Sequence, residues 1–173
     1  MKRFLIFSLL ITLVSCGPKV YIDYDTKTNF EEYETYNFYD PSNSGLNELD
    51  NERVMDAIEN ELDSLGKEPK VIPDFSIEFY AELYVENQPH NVGVSFGGAF
   101  GAIGGSVPAN YEKEMISLTI NFADALTDEL FWQAVIEEEF DKEMTPEERK
   151  QFYKELVKEA LSKYPPGDIS TGK

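Results

Sequence analysis

Phe75-Ser76-Ile77-Glu78-Phe79-Tyr80-Ala81-Glu82-Leu83-Tyr84-Val85-Glu86 decides the fold. Its odd-numbered residues are apolar and its even-numbered ones are Ser, Glu or Tyr. A period of two sustained this long is a β-strand with one face buried and one in water, the habit of antiparallel sheets. Met115 to Phe122 repeats the pattern, with Ile116, Leu118, Ile120 and Phe122 inward and Ser117, Thr119 and Asn121 outward. Leu130 to Phe140 sets Leu130, Trp132, Ala134, Ile136 and Phe140 against Phe131, Gln133, Val135, Glu137 and Glu139. Upstream, Val20 to Asp25 and Glu34 to Tyr39 are shorter strands.

Two helices complete the set. Asp40-Pro41-Ser42-Asn43-Ser44-Gly45 is turn chemistry, and a helix is expected from Glu48 to Leu65 with Leu49, Met55, Ile58, Leu62 and Leu65 on its apolar stripe. Asn47 suits its N-cap and Gly66 its C-terminal glycine. Thr145-Pro146-Glu147-Glu148 is a capping box with Pro at the first helical position. Phe152, Leu156, Ala160 and Leu161 form the second stripe, ended by Pro165-Pro166-Gly167. The expected fold is α+β: two layers, a largely antiparallel sheet of about five strands, and two helices packed on one face. No βαβ rhythm and no internal repeat is visible.

The 173 residues suit one domain. With 33 Asp plus Glu against 15 Lys plus Arg, the formal charge of -18 speaks against a nucleic-acid binder, which needs a basic face. One Cys excludes a disulfide framework, a four-cysteine zinc site and a redox pair. One His leaves poor material for a His-based metal site.

That Cys closes an N-terminal address. Lys2 and Arg3 precede an apolar run from Phe4 to Val14, too short to span a bilayer and suited to a signal-peptide core. Leu13-Val14-Ser15-Cys16 then resembles the lipobox of bacterial lipoproteins, in which the Cys is diacylated and becomes the new N-terminus. The competing possibility is an ordinary signal peptide whose cleavage region contains a Cys. Under the lipobox, residues 1–15 are removed, Cys16 is lipidated, 16–19 form a tether, 20–166 the domain and 167–173 a C-terminal tail. Loss of Lys2 and Arg3 takes the formal charge from -18 to -20. Lipid and not electrostatics would then hold the protein at an anionic surface. Gly17, where an Asp signals inner-membrane retention in enteric bacteria, favours the outer membrane with the domain facing the periplasm.

Candidate chemistry is sparse. Asp23-x-Asp25-x-Lys27-x-Asn29-x-Glu31-x-x-Glu34 has calcium-loop spacing, but Lys27 and Thr28 stand where an oxygen ligand and Gly are needed. Glu137-Glu138-Glu139 and Asp141 read as a solvated acidic edge that discourages strand aggregation. His90 lies in a turn-like string, Asn87 to Asn91, and no GxSxG elbow accompanies it. Tyr80 and Tyr84, between Glu78, Glu82 and Glu86, are either a surface aromatic strip that binds or cross-strand packing that stiffens the sheet. Val92 to Ala109 is eighteen uncharged residues holding six of the eleven glycines. It is expected as a hairpin loop, with two alternatives: an interaction loop touching a partner or lipid through Phe96, Phe100 and Ile103, or a glycine-zipper span.

The order of landmarks resembles a known family. A strand ending in Asp25 leads to Asn29-Phe30-Glu31-Glu32-Tyr33-Glu34-Thr35-Tyr36, then to a helix ending Leu65-Gly66. Pro73-Asp74-Phe75 opens a long strand, a Gly-rich insertion follows, and a strand ends at Asp124-Ala125. Leu130-Phe131-Trp132 starts the next strand, and the last helix closes on Tyr164-Pro165-Pro166. This is similar to the domain-of-unknown-function 4136 lipoprotein family from about Val20 to Pro166. The resemblance implies a secreted, lipid-anchored α+β domain and brings no catalytic residues, metal ligands or cofactor. The expected function is a non-enzymatic binding or structural module of the cell envelope, membrane-held through its anchor, with an envelope protein or glycan as possible partner. The alternative is an envelope hydrolase of glycan or peptide using surface carboxylates.

Overall fold

The computed structural model describes residues 17–98 and 101–167, and for 87–98 and 101–111 it gives the backbone alone. Its strands are β1 (Lys19–Tyr24), β2 (Thr35–Phe38), β3 (Glu68–Pro69), β4 (Phe75–Gly98), β5 (Gly101–Asp124) and β6 (Leu130–Glu139). Helix α1 spans Glu48–Ser64 and α2 spans Pro146–Leu161. The strands form one sheet in the order β1-β6-β5-β4-β2-β3. Pairing is antiparallel from β1 to β4, while β2 runs parallel to both β4 and β3. The fold is α+β, as expected. The parallel pair comes from α1, which carries the chain from β2 across to β4. Four-residue β2 and an amphipathic β4 hide that crossover from a search for buried, apolar parallel strands.

The caps fall where the residues place them. The Asn47 side chain accepts from the Asp50 amide at 3.0 Å, and Thr145 and Glu148 close a reciprocal capping box on α2. After α1, Gly66 takes φ 75°, and Lys67 N–H reaches back to the Leu62 carbonyl at 3.0 Å. That is the left-handed exit for which Gly carries no Cβ penalty.

The core joins Val54, Ile58 and Leu62 of α1 and Tyr153, Leu156, Val157 and Ala160 of α2 to one face of the sheet. The helical stripes differ from expectation in detail. Leu49 and Leu65 are exposed, whereas Asp50, Val54 and Ala57 are buried. The stripe turns onto Asp50, Val54, Ala57 and Ile58 because α1 packs against α2 as well as the sheet. On β6 the alternation slips: Ala123 pairs with Leu130 and Phe122 with Trp132, leaving Phe131 as the extra residue of a β-bulge. Phe131 is therefore buried and stacks on Tyr33 (centroids 4.1 Å apart), while Leu130, expected inward, is half exposed. Trp132 is fully buried, packed on Phe122 and Tyr164.

On β4, Phe75, Ile77, Phe79 and Ala81 are buried, but Leu83 and Val85 are 52% and 51% exposed. The layer above them has ended. Ser44 bonds the outer edge of β4 here, its carbonyl accepting from the Ala81 amide at 2.6 Å. Beside it, Gly45 (φ 81°) comes so close that a Cβ there would lie 2.3 Å from the Ala81 oxygen. On the other side, β6 makes its last pair at Met115 with Glu139, and Phe140 N–H bonds the Glu114 carbonyl at 2.8 Å.

Beyond these points β4 and β5 continue as a two-stranded arm with no third strand among the described residues, paired without interruption to Gly98 and Gly101. Within the expected loop from Val92 to Ala109, the described residues 92–98 and 101–109 are therefore strand. His90, expected in a turn, pairs with Ala109, and Phe96 pairs with Ile103; Phe100 lies outside the described residues. Six glycines in eighteen residues favour a loop because Gly weakens a strand's packing, but the backbone ladder between β4 and β5 needs no side chains to form. Cys16 and the segment before it, and the tail beyond Gly167, also lie outside the described residues. Among the described residues no helix is long and apolar enough to cross a membrane.

Candidate functional site

Both helices cover one face of the sheet, and the register lays out the opposite face in rows. One row runs Tyr21, Val135, Thr119, Tyr80 across β1, β6, β5 and β4. On one side of it lie Asp23, Gln133, Asn121 and Glu78; on the other lie Lys19, Glu137, Ser117 and Glu82. Tyr84 and Met115 begin the next row, with Glu139. Tyr80 and Tyr84 are thus on one face, as expected, and the fold adds Tyr21 at the end of the Tyr80 row. Tyr21 is 56% exposed and Tyr80 38%, while Thr119 and Met115 between them are buried by their neighbours. The three tyrosines are part-exposed on this face, among the carboxylates of Glu78, Glu82 and Glu137.

Hydrogen bonds set the polar rim. Gln133 Nε2 donates to Asn121 Oδ1 at 2.8 Å, and Asn121 Nδ2 donates to Glu78 Oε2 at 3.3 Å. At the β2 side, Tyr39 OH donates to Asp128 Oδ1 at 2.6 Å. This bond holds the Tyr39 phenol above its ordinary pKa by favouring the protonated form. Asp128 sits at φ 58°, a conformation Asp tolerates better than most residues. Tyr39, Ser76, Glu78, Asn121, Asp128 and Leu130 line an open hollow of about 500 Å³. Further along the face, burial raises the Tyr84 phenol, with the charges of Glu137 and Glu86 adding to it.

The carboxyls that are displaced all move down. Asp74 accepts from Thr35 Oγ1 at 2.7 Å, Thr35 N–H at 2.8 Å and Glu34 N–H at 3.2 Å, and these bonds hold it below its ordinary value. Asp124 is lowered first by the amides of Thr127 and Leu126 that cap its turn, and Glu148 by the Thr145 amide. Hydrogen bonding to the charged form is the reverse of what a general acid needs. The acidic string Glu137 to Asp141 is divided among roles: Glu137 lies on the tyrosine face, Glu139 pairs with Lys113, and Asp141 caps a turn by accepting from the Glu143 amide at 2.8 Å. Asp25, in the calcium-like string, accepts from the Lys27 amide at 2.9 Å in an ordinary turn. Among the described residues no three His, Cys, Asp or Glu side chains gather where a metal could sit.

One charged cluster was missed from sequence. The buried Asp50 carboxylate accepts from Arg53 at 2.6 Å and Arg149 at 3.3 Å, tying α1 to α2. Arg149 also donates to the Lys142 carbonyl at 3.0 Å and lies over the Phe140 ring. The signal was present: Asp50 falls on the same 3.6-residue stripe as Val54 and Ile58. Closed off by its two arginines, it links helices and offers no access to a substrate.

Residues 20–166 match the family model described as Domain of unknown function (DUF4136). The chain belongs to the DUF4136 family. No curated protein matches the sequence. Among solved structures, this DUF4136 chain is similar in fold to a PDZ domain protein from Parabacteroides distasonis ATCC 8503, with TM-score 0.56 and 13% identity. That likeness covers 96% of this chain and 40% of the other, so the DUF4136 chain spans well under half of that protein's length. A slighter likeness, TM-score 0.45 at 8% identity, relates 84% of the chain to 95% of the chain in the PelC dodecamer from Paraburkholderia phytofirmans. At these identities the first likeness speaks for shared fold alone, and the second carries no argument.

Proposed function

We propose that this DUF4136 protein is a non-enzymatic lipoprotein of the bacterial cell envelope, anchored by acylated Cys16 in the outer membrane, with its domain facing the periplasm. It binds a cationic partner, a basic protein segment, on the helix-free face of its sheet. The observation that carries the binding role is the register of that face, which aligns Tyr21, Tyr80 and Tyr84 with Glu78, Glu82 and Glu137. Tyrosines offer flat apolar area and cation–π contact, and the carboxylates supply long-range attraction for positive charge. The anchor is supported by Leu13-Val14-Ser15-Cys16 after the short apolar run.

A lysine-rich decapeptide titrated onto the acylated protein tests the binding role. Tyr80→Ala with Tyr84→Ala is expected to weaken binding roughly tenfold, about 1.4 kcal/mol, and added salt to weaken it further. Equal binding by the double variant, or preference for a neutral glycan fragment over the peptide, would set this partner aside. The anchor is checked separately, by the mass of the native N-terminus and by accumulation of precursor in Cys16→Ala.

A further inference from the structure

The β4–β5 hairpin changes phase along its length. In the body, the odd residues of β4 are apolar and buried, and the even ones are Ser, Glu or Tyr. From Asn87 onward the odd residues are Asn87, Pro89, Asn91, Gly93, Ser95 and Gly97, whereas the even ones are Gln88, His90, Val92, Val94, Phe96 and Gly98, so the base of the arm is polar on both faces and the apolar set begins at Val92. The returning strand changes in step. Register sets Val92 opposite Val107, Val94 opposite Gly105 and Phe96 opposite Ile103, so one face of the ribbon collects the large apolar residues. The other face collects Asn91 with Pro108, Gly93 with Ser106, and Ser95 with Gly104, which are small or polar. The change coincides with the end of charge: the 25 residues from Asn87 to Tyr111 contain no Asp, Glu, Lys or Arg, and Glu86 and Glu112 bound them.

Apolar residues alternating with small or polar ones, without charge, are the pattern of a membrane-crossing β-strand, lipid on one side and a wet lumen on the other; here Val92 to Phe96 and Ile103 to Tyr111 carry it. The length agrees. Counting the polar base with Gln88 and His90, Asn87 to Gly98 is twelve residues, about 40 Å along the strand, and a tilt of about 45° turns that into a rise of about 28 Å, close to the hydrocarbon thickness. A single hairpin cannot cross alone, because the outer N–H and C=O groups of both strands need partners in lipid. The arm has no neighbouring strand on either side among the described residues. Copies of the same chain, side by side, would supply them.

The direction also agrees. β1 is antiparallel to β6 with Lys19 level with Glu137, and Glu137 is level with Ser117 and Glu82, so β1 begins at the end of the sheet from which the arm leaves. Cys16 is three residues before Lys19, a reach of at most about 10 Å. Glu86 is four residues beyond Glu82, about 13 Å along β4. Cys16 can thus reach close to the level of the last charges. This orientation rests on the acylated Cys16 of the proposed function; the phase change does not.

We propose that the arm is a membrane-inserting hairpin, and that several copies of this chain pair their arms edge to edge to close a β-barrel through the bilayer. Val92, Val94, Phe96, Ile103 and Val107 form the lipid face. Asn91, Gly93, Ser95, Gly104 and Ser106 form the lumen face.

The test uses the full acylated protein in phosphatidylethanolamine–phosphatidylglycerol vesicles, with single cysteines introduced at Val92, Val94 and Ile103 or at Gly93, Ser95 and Ser106. Each is labelled with a polarity-sensitive fluorophore. A lipid-borne quencher is expected to act at least threefold more strongly on the first three, and a water-soluble quencher on the second three. Crosslinking should give one discrete oligomer. Val94→Arg is expected to lower insertion by roughly tenfold or more and Ser95→Arg by less than threefold, since charge is costly on the lipid face alone. The circular dichroism of the body should be unchanged in both. Six labels in water, six equally in lipid, or oligomers whose arms stay in water would overturn the proposal. The parent is labelled in parallel: uptake of fluorophore would expose an unacylated Cys16, which overturns the anchor and leaves the alternation to judge the arm.

Discussion

Within one pair of strands, the DUF4136 chain builds two different materials. Between Phe75 and Ala81, β4 is the middle of a sheet, bonded on both edges and roofed by helices, and its alternate side chains are wholly buried. From Asn87 to Gly98 the same strand has one partner strand among the described residues, and its apolar residues, Val92, Val94 and Phe96, have moved to the other set of positions. The backbone pairing is the same in both. Alternation makes a strand; what packs above it decides which alternate residues should be apolar.

The sharpest contrast comes from the core. Phe122 is fully buried, with ring centroids of Trp132 at 4.7 Å, Phe75 at 5.0 Å and Tyr164 at 5.0 Å. Phe122→Ala is expected to cost about 3–5 kcal/mol, read from urea denaturation of the body. The boundary between the two regions comes next. Gly45→Ala forces a Cβ toward the Ala81 oxygen at a left-handed φ, and a loss of about 1–3 kcal/mol is expected on the same scale. A neutral result there would mean that the body does not end at Ala81.

Replacing residues 87–112 with Asn-Gly keeps Glu86 opposite Lys113 and should change stability by less than roughly 1 kcal/mol, because the arm pairs with no third strand among the described residues and a shorter connection is slightly easier to close. If this replacement unfolded the protein as Phe122→Ala does, the two-material comparison would be broken. The smallest effect is at acid pH. Asp74 is held below its ordinary 3.8 by Thr35, so its contribution is complete above that value and fades as pH falls through the lower folded pKa. In acid titrations followed by circular dichroism, Asp74→Asn should lie below the parent at neutral pH, and the gap should close below about pH 3.8. A gap that widened in acid would reverse the sign of that assignment.

How much could be read in advance varied with the range of the cause. Capping at Asn47 and Thr145 and the exit at Gly66 were legible because each acts within a few residues. Leu130 and Phe131 were exchanged because a bulge is a mismatch between two strands, and neither strand contains it alone. Leu83 and Val85 were read as buried because nothing in their own segment says where the helical layer stops. Tyr80 and Tyr84 were legible as a surface pair; Tyr21 joined them only through pairing of β1 with β6, more than a hundred residues apart in the chain.

By itself, the sequence determined both helices with their caps, the body segments of five strands, the α+β class and the family, because period, turn chemistry and the order of landmarks are local or linear properties. The tertiary structure decided the strand order, the parallel β2–β4 crossover, the Asp50–Arg149 tie and the face on which tyrosines and carboxylates meet. It also turned an apparent glycine loop into a paired arm. These depend on which distant segments become neighbours, and in this chain that choice is made by burying one face of a sheet under two helices that cover only part of its length.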